Sequence, residues 1–253
     1  MRLAKALGVI VSVGLLIAGC GRDSGLDGLA DGGRGTVASA AAGDAVILAD
    51  GRRVRLAGVE APHGSDPYAA EARGVLQRLA AGREVQLLYG GARADPYGRA
   101  LAQLRDRKSR AWLQGQLLEA GAARVRTYPD NRALARPMQT AEARARIARR
   151  GLWALADYQV RLPREVGLND GGFTLVEGRV ARVVRSRASL FLDFDGGLSA
   201  ETPLAMEPQF AAAGIDFTRL KGRLIRMRGS LYRSRLRIDH PEQVEILRER
   251  AVK

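Results

Sequence analysis

The feature that most constrains the fold is the order of short apolar runs along the chain. Between about residues 37 and 155, runs typical of strands precede and follow one amphipathic helix, and two further helices come last. Asp50-Gly51, between two of these runs, predicts a β-hairpin. From about residue 173 a second series has the order strand, strand, weak strand, helix, strand, strand. This order predicts an α+β protein of mainly β structure: a small β-barrel capped by helices, then a smaller OB-like barrel.

The helix of the first series carries start and stop signals. Asp66 is expected at the N-cap, Pro67 at the first helical position and Gly82 just past the end. Apolar residues recur along it at helical spacing and predict one buried face: Ala72, Val75, Leu76 and Leu79. In the second series, alternation places Phe191 on the opposite face from its apolar neighbours. Phe191 either stacks on a base or packs inside the protein.

The first twenty residues have the pattern of an export signal. Arg2 and Lys5 give a positively charged beginning, and an apolar stretch from Ala6 to Ala18 follows it. This stretch is shorter than a bilayer-spanning helix requires. The stretch ends in Ile-Ala-Gly-Cys, which resembles the lipobox of bacterial lipoproteins and predicts acylation of Cys20. The alternative is an ordinary secretory signal cut elsewhere. Gly21 resembles the outer-membrane sorting residue of Gram-negative lipoproteins, so we expect an envelope protein anchored by lipid in the outer membrane.

Composition and patterning divide the chain into five segments. They are a signal at 1–20, a Gly- and Asp-rich flexible tether at 21–36, the first barrel domain at 37–155, a linker at 156–172 and the second barrel at 173–250. Cys20 is the one cysteine. If it carries lipid, the barrels must fold without a disulfide.

The chain is strongly basic, with a formal net charge of +14. Four lysines contribute, and the remaining basic residues are arginines. Such a charge suits a polyanion, either nucleic acid or an anionic lipid surface. The alternative explanation is the composition of a genome rich in Ala, Arg and Gly.

Polar residues interrupt the first series at strand ends. Asp44 begins one strand, Arg55 lies within the next, and Glu60 to His63 follow that strand. Asp95 to Arg99, with the sequence DPYGR, has the preferred residues of a type I turn followed by an arginine.

These stretches resemble the staphylococcal nuclease (thermonuclease) family over about residues 37–153. The resemblance is carried by AAGDAVIL, VRLAGVEAPH, YAAEARGVL, DPYGRALAQL, LLEAGAARV and AEARARIARRGLW. It implies an OB barrel with helices that hydrolyses phosphodiester bonds of DNA and RNA, usually with calcium. DNA or RNA is therefore the expected partner, with the membrane as a second partner through the anchor.

The resemblance also implies roles for individual residues. Arg55 and Arg99 would clamp phosphate oxygens, because the guanidinium fork stays charged and matches their geometry. The remaining roles are metal binding by Asp44, Glu60 and the Ala61 carbonyl, and nucleotide contact by Tyr97 and Tyr128. A hard cation held by oxygen ligands would neutralise the phosphate and orient it.

The sequence departs from the family at several catalytic positions. The family has a water-activating glutamate where this chain has His63, an aspartate where it has Glu60, and an acid and a hydroxyl where it has Ala42 and Ala45. Calcium prefers oxygen to imidazole, whereas a softer divalent ion accepts it more readily.

Three roles for His63 stay open: a general base, a phosphate or transition-metal ligand, or a surface loop residue of an inactive site. The predicted function is that of a lipid-anchored, metal-dependent nuclease with an OB-like accessory domain. The alternative is an envelope protein that kept the nuclease fold for binding nucleic acid or another envelope protein.

Overall fold

The computed structural model describes residues 25–248. The predicted signal and the lipid attachment residue Cys20 lie outside the described residues. Within 25–248, no helix combines the length and the apolar character that crossing a membrane requires. The described chain forms two barrels in sequence.

The first barrel and its helices contain seven strands and three helices. They are β1 (Ala30–Ala42), β2 (Ala45–Leu48), β3 (Arg53–Leu56), β4 (Val59–Glu60), α1 (Ala69–Ala80), β5 (Glu84–Tyr89), β6 (Ala100–Asp106), α2 (Leu113–Glu119), β7 (Arg124–Val125) and α3 (Ala135–Ile147). Five of the strands close a barrel in the order β1-β2-β3-β6-β5. Only the β3–β6 pair among them is parallel. The predicted hairpin at Asp50-Gly51 is confirmed, because β2 and β3 pair antiparallel around it.

The second barrel has six strands and one helix. They are β8 (Gly171–Arg185), β9 (Ser189–Phe194), β10 (Ser199–Pro203), α4 (Glu207–Ala212), β11 (Leu224–Tyr232), β12 (Arg235–Arg237) and β13 (Val244–Ile246). The order β12-β10-β9-β8-β11 closes through β11–β12 pairing, and β13 adds to the edge of β11. Strand order and the one parallel pair, β10–β12, repeat those of the first barrel, with the helix again between the third and fourth strands. The predicted α+β class with two barrels is confirmed.

Apolar patterning accounts for both cores. In α1 the i, i+4 pair Ala72 and Leu76 is buried, as the helical spacing predicts. In β9 alternate side chains, Leu190, Leu192 and Phe194, point into the second core. Each barrel has its own apolar core, and a third cluster around the fully buried Trp153 lies between them.

Two boundary predictions are wrong. The tether was expected to reach residue 36, but β1 begins at Ala30 and pairs with β5. Leu26 is buried before it, and Asp27 forms an ion pair with Arg105. This Gly- and Asp-rich segment forms a strand because its backbone pairs with β5. Amino-acid composition gives no sign of such backbone pairing.

The start of α1 also differs from its prediction. The helix begins at Ala69, not at Pro67. The Asp66 carboxylate accepts a hydrogen bond from the backbone N–H of His63, so it stabilises the preceding turn and not the helix end.

A buried arginine joins the barrels. Arg228, on β11, is 1% exposed, and its Nη2 lies 2.9 Å from Glu142 on α3 and 2.8 Å from Glu245 on β13. Its Nη1 donates to the Val125 carbonyl at 3.2 Å, while Val125 N–H donates to Glu142 at 2.7 Å. One guanidinium therefore connects a helix and a strand of the first barrel to a strand of the second.

Burial makes this network sensitive to its charges. Burial alone would raise the pKa of Glu245, but Arg228 and Arg226 hold it below its ordinary value of 4.5. A carboxylate with a lowered folded-state pKa contributes stability above the unfolded pKa. That contribution is lost as the pH falls through the folded-state pKa.

We expect Arg228→Ala to lower the free energy of unfolding by about 3–5 kcal/mol, because buried Glu142 loses its closest counterion and keeps only Arg146 at 3.6 Å. Arg182→Ala removes an exposed pair with Asp193 and should cost at most about 1 kcal/mol. Urea unfolding at neutral pH measures both. A loss below 1 kcal/mol in Arg228→Ala would mean that Glu142 does not depend on this guanidinium.

Candidate functional site

Four of the predicted site residues line one cleft of the first barrel. Arg55, Arg99, Tyr97 and Tyr128 surround a cavity of about 360 Å³, together with Arg126, which had no assigned role. Three guanidinium groups and two phenol rings thus converge from β3, the turn before β6 and the segment after β7.

The turn from Asp95 to Arg99 presents two of these side chains. Asp95 accepts hydrogen bonds from the N–H groups of Tyr97 and Arg99, each at 3.0 Å, and from Arg99 Nε at 2.6 Å. Burial would raise the pKa of Asp95, but these donors hold it below its ordinary value. Gly98, at φ 75°, supplies the left-handed residue of the turn. The turn leaves Tyr97 85% exposed, with the Arg99 guanidinium 5.5 Å from its ring centre.

Arg55 is fixed from behind by Asp44. Its Nη2 lies 3.0 Å from the Asp44 carboxylate, and its Nη1 donates to the Leu56 carbonyl at 2.7 Å. The same Asp44 oxygen accepts the Ala61 N–H at 2.9 Å. A Cβ at Gly43 would lie 2.6 Å from that of Ala61, so glycine allows this close approach. Asp44 therefore orients Arg55 and ties β2 to the end of β4.

Glu60 has different partners from those expected of a metal ligand. The β4–β7 pairing places it opposite Arg124, whose Nη2 is 3.4 Å from Glu60 Oε2, and Arg126 bonds the other oxygen. Burial lowers the pKa of Arg124, yet an arginine stays charged at any working pH. Arg126 in turn lies 5.5 Å from the Tyr128 ring centre.

The predicted metal ligands do not fit a divalent cation as they are arranged. Asp44 bonds Arg55 and the Ala61 N–H, while both Glu60 oxygens face arginines. Among residues 25–248, no group of three or more His, Cys, Asp or Glu side chains is placed to hold a metal ion. Calcium requires several oxygen ligands that converge on one point, which these residues do not provide as arranged. A metal at this site remains a prediction from the resemblance.

His63 lies on an exposed loop beside this site. Its Nδ1 is 3.2 Å from the Ala61 carbonyl and 3.8 Å from the Asp66 carboxylate. His63 does not line the described cleft. A hydrogen bond from Nδ1–H to Ala61 leaves Nε2 as a proton acceptor directed away from these partners.

The residues that sequence analysis missed are Arg124 and Arg126. Their i, i+2 spacing on a strand places both on one face, and this alternation was the available signal. The long-range partner, Glu60, had no local signal.

Taken together, these features define a closed barrel of the OB type with an arginine- and tyrosine-lined cleft. Residues 53–155 match the family model of the staphylococcal nuclease homologues. A probable staphylococcal-like nuclease, CAN2, of Oryza sativa subsp. japonica is 33% identical to the chain over 112 residues.

The similarity covers part of each chain. It includes 44% of this chain and 28% of the rice relative, so the chain spans little more than a quarter of that protein. Over residues 53–155 the chain is nuclease-like, and the second barrel lies beyond this family match.

Proposed function

We propose that the cleft binds the phosphodiester backbone of DNA or RNA. The observation that carries the proposal is the convergence of Arg55, Arg99 and Arg126 with Tyr97 and Tyr128 on one cavity. Arginine is the side chain best suited to bidentate phosphate binding, and exposed tyrosines supply surfaces for stacking bases. The match to nuclease homologues supports the same partner.

The carboxylates beside the arginines orient them without using all of their donors. A guanidinium has five N–H donors, and Asp95 takes only Nε of Arg99 within the described contacts. The fork of terminal nitrogens is left to face a phosphate. Because Asp44, Glu60 and Asp95 offset part of the charge, we propose that affinity depends on geometry as well as on net charge.

We expect Arg99→Ala to weaken binding of a short single-stranded oligonucleotide about tenfold or more, since a charge-assisted hydrogen bond is lost. Arg144→Ala is the matched control, because Arg144 forms an exposed pair with Glu119 and does not line the cleft. Fluorescence anisotropy in chelator measures binding without cleavage. Equal effects of the two variants would contradict the proposed cleft.

A second candidate function is hydrolysis of the bound phosphodiester. The Arg55–Asp44 pair lies next to Ala61 and the His63 loop, where the family resemblance places the reacting groups. His63 would accept a proton from water through Nε2, and loss of a positioned base typically costs about 10²- to 10⁴-fold in rate. In this proposal the protein is a slow nuclease whose metal requirement is open.

Hydrolysis is tested with plasmid and single-stranded DNA in calcium, magnesium, manganese or chelator. We expect slow cutting that Arg99→Ala abolishes and that His63→Glu raises, because a carboxylate restores an oxygen ligand and a base. No cutting by the parent or by His63→Glu would leave binding as the function of the cleft.

We also propose export and lipid anchoring at Cys20 in the outer membrane, supported by the Ile17-to-Cys20 sequence. Labelled palmitate should enter the parent and be absent from Cys20→Ser, which should no longer fractionate with membranes. Membrane association of Cys20→Ser equal to that of the parent would contradict the anchor.

A further inference from the structure

The cleft of the first barrel continues into two further cavities. The first cavity shares Arg126 and Tyr128 with a small cavity of about 70 Å³ at the junction of the barrels. The junction cavity shares Ser230 and Arg237 with a third cavity, of about 370 Å³, on the second barrel. The shared lining residues place the three cavities next to one another in a row across both barrels, which we name the inter-barrel groove.

Exposed tyrosines follow this groove. Of the six tyrosines in the chain, three are exposed: Tyr97 at 85%, Tyr128 at 49% and Tyr232 at 69%. Tyr97 and Tyr128 line the first cavity, Tyr128 the junction, and Tyr232 the third cavity. Single exposed apolar residues are ordinary, but their alignment in one groove is typical of a stacking surface for unpaired bases.

Arginines accompany the tyrosines along the groove. Arg126 links the first two cavities and its Nη2 contacts Ser230 at 3.4 Å, so it lies where the barrels meet. Arg235 and Arg237 line the third cavity, with Arg235 5.6 Å from the Phe191 ring centre. Phe191 is half-buried beneath this guanidinium and supports it.

An acidic residue pairs with each of these arginines: Glu201 lines the third cavity and Asp239 lines the junction cavity. Glu201 lies 3.2 Å from Arg235, and Asp239 lies 2.7 Å from Arg237. Each guanidinium keeps donors beyond these contacts, as in the first cleft. Both barrels therefore present the same arrangement: an arginine, an acidic residue that orients it and a tyrosine nearby.

The turn between β11 and β12 places a further cation beside Tyr232. Arg233 and Ser234 both have positive φ, 48° and 57°, in a hairpin that usually takes Asn-Gly. Arg233 lies 5.3 Å from the Tyr232 ring centre. The turn thus holds a guanidinium against the most exposed aromatic ring of the second barrel, at a cost in backbone strain.

We propose that the second barrel is part of the binding site and that one single strand of nucleic acid lies along the whole inter-barrel groove. The inference rests on the proposed function, because the strand enters through the phosphate-binding cleft. Bases of a duplex are stacked on each other and cannot reach Tyr97, Tyr128 and Tyr232 together, so the occupant is single-stranded. An anionic membrane offers charge but no bases to stack on tyrosines.

The test compares oligo-dT of about 6 and about 20 nucleotides, since one OB fold covers about 4–16 nucleotides. Residues 21–253, which contain every described residue, are titrated in chelator by fluorescence anisotropy. We expect the double variant Tyr232→Ala/Arg235→Ala to weaken binding of the 20-mer about tenfold and to leave the 6-mer unchanged. Tyr232→Phe keeps the ring and should bind both as the parent does.

A matched control is Arg219→Ala. Arg219 is an exposed arginine of the second barrel that pairs with Asp216 and lines none of the three cavities. Arg219→Ala should leave the affinities for the 6-mer and the 20-mer unchanged. It removes one positive charge outside the groove, so it shows whether a weaker affinity comes from a lost contact or only from a lower net charge.

The outcomes distinguish this inference from the proposed function. A parent that binds the 6-mer but gains nothing with the 20-mer overturns the inference and leaves the proposed function in place. A parent that binds neither overturns both. If the double variant loses binding to phosphatidylglycerol vesicles but keeps the 20-mer, the surface is a lipid-binding one and the inference is overturned.

Discussion

The position of the second barrel depends on one buried guanidinium, that of Arg228. Glu245 on β13 lies in the same barrel as Arg228, but its other two partners, Glu142 on α3 and the Val125 carbonyl on β7, lie in the first barrel, so separating the barrels would remove two of its three partners. β7 also carries Arg124, and Arg126 directly follows it; both pair with Glu60. Docking of the barrels and orientation of the cleft arginines are therefore properties of a single network.

This network explains why Glu60 is unavailable for other ligands. A carboxylate facing two guanidinium groups would have to lose both partners before it could bind a cation, and desolvated pairs are costly to break. In a protein that lacked Arg124 and Arg126, the same glutamate would be free. The chemistry at this position is thus set by residues more than sixty positions away in sequence.

Much of the fold followed from local sequence. The turn residues Asp50-Gly51 and the period-two alternation in β9 predict strands. The helix between the third and fourth strands of each series indicates the strand order of the barrel. The cleft was also predictable in part, because Arg55 and the Asp95–Arg99 turn are recognisable motifs.

What could not be predicted depends on partners distant in the chain. The segment before residue 37 looks like a tether by composition, yet β5 pairs with it. Arg228 has the sequence context of any strand arginine, and only tertiary packing makes it buried. Glu60 was assigned by resemblance, whereas its neighbours were decided by β4–β7 pairing.

The Arg228 network also restricts how sequences of this architecture diverge. A change of Arg228 leaves buried Glu142 with only the longer contact to Arg146, at 3.6 Å, and a change of Glu142 leaves Arg228 with Glu245 as its one remaining carboxylate. Intermediate sequences would fold poorly, so the two positions are expected to change together or not at all. Since Glu142 belongs to the first barrel and Arg228 to the second, a substitution in one barrel changes which residues the other can accept at this contact.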